Sequence, residues 1–536
     1  MASAAVFALF ARAAVFSYIG LDDAAYTFRN PFVAGGLSLT NICEAFTNLR
    51  HGGIWMPFTY FSYMVDASLC KAIGMPVIGW MHVINILLHV VNFLLLCRLA
   101  AMIQGEGDRY VAVLVASLFW ALHPLRAEPV AWIAARKELL WSIFTMIGLL
   151  LWCRRSWTPA YVCCALACLS KPTAMCFPLL AGLVEWQTRC GLSESPMHAR
   201  WRTALRYLPM FAMAATTAAI AAYSQTHVAG QGATSLYEVP FANRLVNAFS
   251  AAGFYLRATL LPFGLHFDCR TVTGVCPISG AWNIGVFALF AVGAIFLFSP
   301  MGKGVIVRRQ FVLAVGWFVL ALLPTLGVFG GFGIEAHADR FAYVPSMALS
   351  IVLVPFLSRP VVQRFAVAGL VMLSALAFRQ LGFWRDGESA YARTLACDPC
   401  HPRAMLHLGD VRCSRHGDFD GGIRFYRQAI AGAATVPRGG FDAEDAKARL
   451  AYALATRGRD VDFLEVKELG AAVLRDVRLD RRGMMLDALG TAFMHDGDMK
   501  RAASLFAASI RAPDRFWPKA STIRKLERCK LENESH

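Results

Sequence analysis

Apolar residues dominate the chain from its start to about residue 379, in runs separated by short polar punctuation. Runs of about 17–25 residues, enough to cross a bilayer as a helix, occur near 4–20, 76–100, 109–126, 130–152, 207–223, 281–299, 310–328, 341–358 and 361–378. The stretch 158–187 is broken by Lys171-Pro172. Proline ends helices and lysine is costly in hydrocarbon, so this stretch predicts a tight helix pair with its turn at the break. The segment 244–262 is interrupted by Arg257 and closes at Pro262, which fits a re-entrant or surface-lying helix. The pattern predicts an all-α, polytopic bundle of about 11–12 membrane helices. The run from Ala4 to Ile19 contains Arg12 and has no basic segment before it, so it is expected to be the first membrane helix and not a leader.

Past residue 379 the chain turns polar and rich in Arg, Asp and Ala. One segment carries Leu408-Gly409, Gly417-Asp418-Phe419, Tyr426 and Ala429; a second repeats the order as Leu489-Gly490, Gly497-Asp498, Ala502 and Phe506. Small residues let paired helices approach and the aromatics fill the space between them, the mark of a helix–turn–helix repeat of about 34 residues. A degenerate unit is expected near 443–475. The predicted division is a membrane domain, 1–380, with a first extracytoplasmic loop at 21–75, and a soluble TPR-like α-solenoid, 381–536. An unrelated helical bundle is the competing reading of the tail.

Composition agrees. Of 536 residues, 57% are hydrophobic and 16% charged, with mean hydropathy +0.48; soluble domains carry about a quarter charged residues. The net charge of +16 comes without a basic run interleaved with aromatics, so no nucleic-acid partner is expected. In a membrane protein the excess belongs in cytoplasmic loops. Arg154 and Arg155, then Arg189 to Arg206, then Lys303 to Arg309, then Arg359 and Arg364 mark four of these. From a cytoplasmic N-terminus, parity then places 21–75, 123–132, 170–173, 224–280, 329–342 and the tail outside. Among the fifteen cysteines, many sit in apolar runs as small hydrophobes. Cys397 with Cys400, and Cys269 with Cys276, are either local disulfides or inert loop thiols.

Polar groups gather on the predicted outer side. Asp22-Asp23 follows the first run, where a carboxylate would deprotonate an acceptor hydroxyl or simply be solvated at a helix end. The loop that follows holds WMPFTYFSYMVD, Trp55 to Asp66, an aromatic amphipathic stretch suited to the membrane interface. His82, Asn85, His89 and Asn92 lie on one face of an apolar helix. His89 and Asn92 read as structural, while His82 and Asn85 lie nearer the outer end, within reach of a substrate. HPLRAEPVAWIAARKE supplies His123, Arg126, Glu128, Arg136 and Lys137. Lys171 and Arg340 are further cations on a side where the positive-inside rule does not put them. They fit phosphate binding, or pairing with Glu128 or Asp339.

In order, LDDAAYTFRNPFV, IWMPFTYFSYMVD, GWMHVINILLHVVNFLLL, ALHPLRAEPVAWIAARKELLWSIF, LSKPTAMCFPLL and ADRFAYVPSMAL, followed by repeats, resemble the transmembrane and tetratricopeptide-repeat-containing O-mannosyltransferases of the GT-C superfamily. The resemblance is collinear over roughly 15–530. One departure is Met56, where family members often have His. The resemblance implies an inverting transferase that takes a sugar, such as mannose, from a polyprenyl-phosphate donor and passes it to a hydroxyl of a protein acceptor. Asp22 or Asp23 would be the base. His82, Asn85, His123, Arg126, Glu128, Arg136, Lys137, Lys171 and Arg340 would bind substrate or stabilise the leaving phosphate. No cofactor is required by such a mechanism, and no metal ligands are assigned, although the paired aspartates leave room for a divalent ion. Membrane lipid, the lipid-linked donor and a protein held by the repeats are the expected partners. A bacterial inner membrane with a periplasmic tail is the expected setting, or the ER membrane with a lumenal tail in a eukaryote. A non-catalytic scaffold and a ligase or transporter of lipid-linked glycans are the alternatives.

Overall fold

A computed structural model describes the chain apart from residue 21 and the segments 50–53, 105–108, 190–203, 229–239, 268–280, 290–304, 329–336, 434–442, 475–480, 513–518 and 535–536. The described residues are helical or irregular and contain no strand, so the fold is all-α. They form two compact units, Met1–Ala390 and Tyr391–His536.

In the first unit the helices Val77–Gln104, Tyr110–Ala121, Arg136–Cys153, Trp157–Ser170, Phe177–Arg189 and Met347–Leu357 share one apolar core. Leu96, Leu99, Trp120, Met146, Leu149, Trp317 and Ile351 are buried there. His89 and Asn92 stitch this core as their spacing anticipates. The two ring nitrogens of His89 meet the Tyr343 hydroxyl at 2.8 Å and the Ala121 carbonyl at 3.0 Å, and the Asn92 amide donates to the Leu139 carbonyl at 3.0 Å. Ala121 ends its helix, where carbonyls lose their intrahelical donors; the imidazole supplies a replacement. Arg12 is explained similarly. Its guanidinium donates to the Phe378 carbonyl at 3.3 Å and lies 4.4 Å from the centre of the Phe378 ring.

Several predicted spans are interrupted. Val77–Gln104 and Val361–Gly382 are long and apolar enough to cross a bilayer, and Tyr110–Ala121 with Pro124–Ala131 is a third if a 59° bend is allowed within one span. Ala2–Val15, Trp157–Ser170, Leu208–Ser224, Arg309–Thr325 and Met347–Leu357 are shorter apolar helices. The molecule is therefore a membrane protein whose apolar runs are broken more often than their length implies. The breaks have local causes. The first run tightens into a 3-10 turn at Ala11–Val15, Pro124 opens a new turn after Ala121, and Lys171 is extended before Pro172. The segment with Arg257 is one helix, Phe241–Leu260, in which Arg257 donates to the Phe263 carbonyl at 3.1 Å. The 281–299 run, the basic loops at 189–206 and 303–309, and Cys269 and Cys276 lie partly or wholly outside the described residues. Cys397 and Cys400 are not joined by a disulfide.

The second unit contains successive helix pairs: Pro402–His416 with Phe419–Gly432, Ala443–Arg457 with Asp460–Val473, and Arg482–His495 with Met499–Arg511, followed by Lys519–Glu534. The two matching sequence segments have the same geometry. Gly417 and Gly497 take the left-handed conformation (φ 64° and 83°) that ends a helix. Asp418 and Asp498 then cap the next helix by accepting from the backbone of Gly421 and Arg501. Gly409 lies against the Tyr426 ring and Gly490 against the Phe506 ring, so closely that a methyl group would collide at either place.

Candidate active site

At one end of the first unit, short turns bring together groups far apart in sequence. Asp23, in the short helix Asp22–Tyr26, is buried. One carboxylate oxygen accepts from the Ile19 backbone at 2.9 Å and the other from the Ala134 backbone at 2.8 Å. Burial pushes its pKa up from the usual 3.8 to about 7, against the pull of those two N–H groups; the charge of Asp22 adds to the rise and Lys137 opposes it. Asp22 is half-buried and its carboxylate meets the Tyr26 hydroxyl. The adjacent acids thus have different settings: Asp23 is clamped by backbone, and Asp22 keeps contact with solvent.

The cations form a second layer. Lys137 Nζ lies 4.6 Å from the Tyr26 ring centre and 6.0 Å from that of Trp132. Arg340 stacks over Trp132 and Phe341 at 5.0 and 4.8 Å, and Lys171 lies over Phe341 at 4.9 Å. Arg340 is bidentate to Glu128, through its guanidinium at 2.5 Å and its backbone N–H at 3.1 Å. Lys171 pairs with Glu138, which also accepts from the Trp141 indole at 2.9 Å. Burial lowers the Lys171 pKa to about 8; Glu138 opposes the drop, while Lys137 and Arg340 add to it. Those three cations therefore sense one another inside a dry site, which favours an anion among them.

Arg136 holds a different position. It is fully buried, pairs with Asp66, and donates to Asn85 Oδ1 at 2.8 Å and to the Met81 carbonyl at 3.0 Å. Asn85 in turn donates to the Trp132 carbonyl at 3.2 Å, and Tyr63 to the Ile133 carbonyl at 2.7 Å. Together these contacts fix the backbone from Trp132 to Arg136, which carries the N–H that holds Asp23. His82 is buried edge-on to Phe16. His123 caps the turn Pro124–Arg126 by accepting from Leu125 at 3.2 Å, and its other nitrogen meets the Thr259 carbonyl at 3.1 Å. Arg126 donates to the Tyr343 carbonyl at 3.0 Å and Ser346 Oγ at 2.9 Å. The structure thus joins Asp22, Asp23, Glu128, Lys137, Lys171 and Arg340 at one place and sets Arg136 and Asn85 behind them. His123 and Arg126 brace a neighbouring turn.

Two partners were not assigned from the sequence. Asp66 and Glu138 are the buried partners of Arg136 and Lys171; both were visible only as acids within apolar surroundings. Asp339 is buried with neither oxygen hydrogen-bonded. Burial, then the Glu128 charge, hold its carboxyl well above the ordinary range, with Arg126, Arg340 and Arg257 acting against them. Arg340 pairs with Glu128, not with this neighbour. The helix Pro57–Ile73 turns Thr59, Tyr63 and Asp66 into the bundle, and Met56, at the departing position, is fully buried. Among the described residues no group of three or more His, Cys, Asp or Glu side chains is arranged to hold a metal ion.

No family model and no solved structure matches the chain. Curated relatives do. It is 23% identical over 413 residues to the protein O-mannosyl-transferase F38B6.6 of Caenorhabditis elegans, covering 73% of this chain and 56% of that protein. It is 24% identical over 435 residues to the mouse protein O-mannosyl-transferase TMTC4, covering 70% and 57%. With Drosophila melanogaster Tmtc3, also a protein O-mannosyl-transferase, it shares 23% identity over 435 residues, covering 65% and 46%. The chain spans about half the length of these relatives. By this similarity the chain resembles proteins named as O-mannosyl-transferases.

Proposed function

We propose that the chain is a multi-pass glycosyltransferase of the GT-C type that moves a sugar, mannose by analogy with its relatives' names, from a polyprenyl-phosphate donor to a protein Ser or Thr hydroxyl. The observation that carries this reading is the meeting of the Asp22-Asp23 pair with Lys137, Lys171 and Arg340 in one buried cluster. Asp22 is the base. What supports it over Asp23 is access: both Asp23 oxygens already accept backbone N–H groups, whereas Asp22 is half-exposed.

In this reading Asp22 takes the proton from the acceptor hydroxyl as its oxygen bonds to the sugar C1 on the face opposite the phosphate. The C1–O bond to phosphate breaks, and its electron pair leaves on the phosphate with inversion at C1. Lys137, Lys171 and Arg340 stabilise the growing charge on that leaving group, with Glu138 and Glu128 holding the last two in place. Asp23 orients the base by fixing the turn before it. The site and the C-terminal repeats share the extracytoplasmic side, periplasmic or lumenal, and the TPR-like repeats engage the acceptor protein.

Membranes supplied with labelled polyprenyl-phosphate mannose and a Ser/Thr-rich acceptor test this. Asp22→Asn is expected to lower turnover by about 10²–10⁴-fold without changing the melting temperature, and Asp23→Asn to lower both. Full turnover by Asp22→Asn removes its role as base. No transfer by the wild type from any polyprenyl-phosphate sugar favours a scaffold.

A further inference from the structure

Trp132 sits in the middle of the cationic layer, 2% exposed, with its ring under Arg340 and beside Lys137. Phe267 and Trp384 pack on it at 5.4 and 6.2 Å. Its backbone is fully used, the N–H donating to the Glu128 carbonyl at 3.0 Å and the carbonyl receiving Asn85. Its indole N–H is buried and has no acceptor. Leaving such a donor unmet is costly, and native interiors rarely tolerate it without a reason.

The neighbours define what would satisfy it. Indole is a donor only, and so are the ammonium and guanidinium groups beside it. Three of the nearby carboxylates are engaged: Glu128 by Arg340, Glu138 by Lys171 and Trp141, and Asp23 by backbone. Asp339, next to Arg340, keeps two unmet oxygens of its own, but the groups that converge on Trp132 itself (the indole N–H, Arg340 and Lys137) are all donors and two of them are cationic. A sugar hydroxyl supplies a donor as well as an acceptor, whereas a phosphate group supplies acceptors and charge alone.

We propose that the Trp132 indole N–H is a ligand of the donor's phosphate, accepted by a phosphate oxygen that also faces Arg340 and Lys137. This rests on the polyprenyl-phosphate reading above and adds a neutral residue to its binding set. The indole does two jobs: its π face shelters the cations and its edge binds the anion they attract. Trp132→Phe separates these, because the aromatic face is retained and only the donor is lost.

The test is equilibrium binding of radiolabelled polyprenyl phosphate, polyprenol and inorganic phosphate to the full chain in phosphatidylcholine nanodiscs. The wild type is expected to prefer the lipid phosphate to the alcohol, with inorganic phosphate a poor competitor. Trp132→Phe is expected to bind the lipid phosphate about tenfold more weakly, to bind polyprenol unchanged, and to melt no lower than the wild type. Equal lipid-phosphate affinity in the two proteins overturns the role of Trp132 and leaves the donor reading standing. Equal loss of both lipids with a lower melting temperature assigns Trp132 to packing alone and also overturns it. A wild type that does not distinguish phosphate from alcohol overturns the donor reading itself. Strong displacement by inorganic phosphate overturns the lipid source of the anion.

Discussion

The two units handle charge in opposite ways. In the first, Arg136–Asp66, Lys171–Glu138 and Arg340–Glu128 have side chains no more than 8% exposed. In the second, many pairs lie at the surface, as in Arg427–Glu465 and Arg459–Asp420, where one side chain of each pair is more than half exposed. Burying a charge costs several kcal/mol that its partner only partly returns, whereas surface pairs are worth about 0–1 kcal/mol. The first unit therefore carries costly pairs in an otherwise apolar bundle, concentrated around one cluster. The second carries many of its charges on the outside of its helix pairs. The second unit has partly buried pairs as well, such as Arg449–Asp410, but they are spread over its helix pairs and not gathered around one cluster.

The largest break in this contrast comes from removing one partner of a buried pair. Arg136→Leu strands Asp66 and releases the Trp132–Arg136 backbone, so a loss of about 3–5 kcal/mol is expected, read as a lower melting temperature in nanodiscs. The reciprocal Asp66→Leu should match it; a near-normal melting temperature in both would show that the pair is solvated. Titration sharpens the contrast next. Folded Asp23 holds its proton to about pH 7, while the unfolded chain releases it near 3.8. Its contribution to stability is therefore present below about pH 4 and lost as pH rises to about 7. Asp23→Asn should flatten the melting temperature across that window, and an unchanged slope would remove the claim.

In the second unit the sensitive positions are apolar. Gly490→Val forces a side chain into the Phe506 ring and is expected to cost about 1–3 kcal/mol, measured by denaturant unfolding of the full chain; Gly409→Val at the Tyr426 ring should behave alike. Different costs at the two glycines would mean that the two segments do not share one packing rule. The smallest effect belongs to Arg427→Ala, within about 1 kcal/mol.

These differences also explain what could be read in advance. The second unit was legible because its determinants are local: Gly417-Asp418 and Gly497-Asp498 each end one helix and cap the next within a few residues. The site was legible as a set of residue types, since Asp23, Lys171 and Arg340 are costly in apolar surroundings wherever they are placed. Its wiring was not. Arg340 and Glu128 are separated by 212 positions and Arg136 and Asp66 by 70, and no periodicity encodes such pairings. Nor does an apolar run announce its bends. Ala121 and Ser170 end helices because His123 and Lys171 form turns held by distant groups, the Thr259 carbonyl and Glu138.

The clamp on Asp23 has a consequence for how the protein is made. One of its two N–H partners, Ala134, is 111 residues downstream. A nascent chain that has made only its first loop thus holds an unfinished acid, with one carboxylate oxygen lacking its partner. The turn at Ala134 completes it only after the intervening helices have been inserted and packed. The clamp therefore closes late in synthesis, and a truncated product has the aspartates without the backbone that holds Asp23.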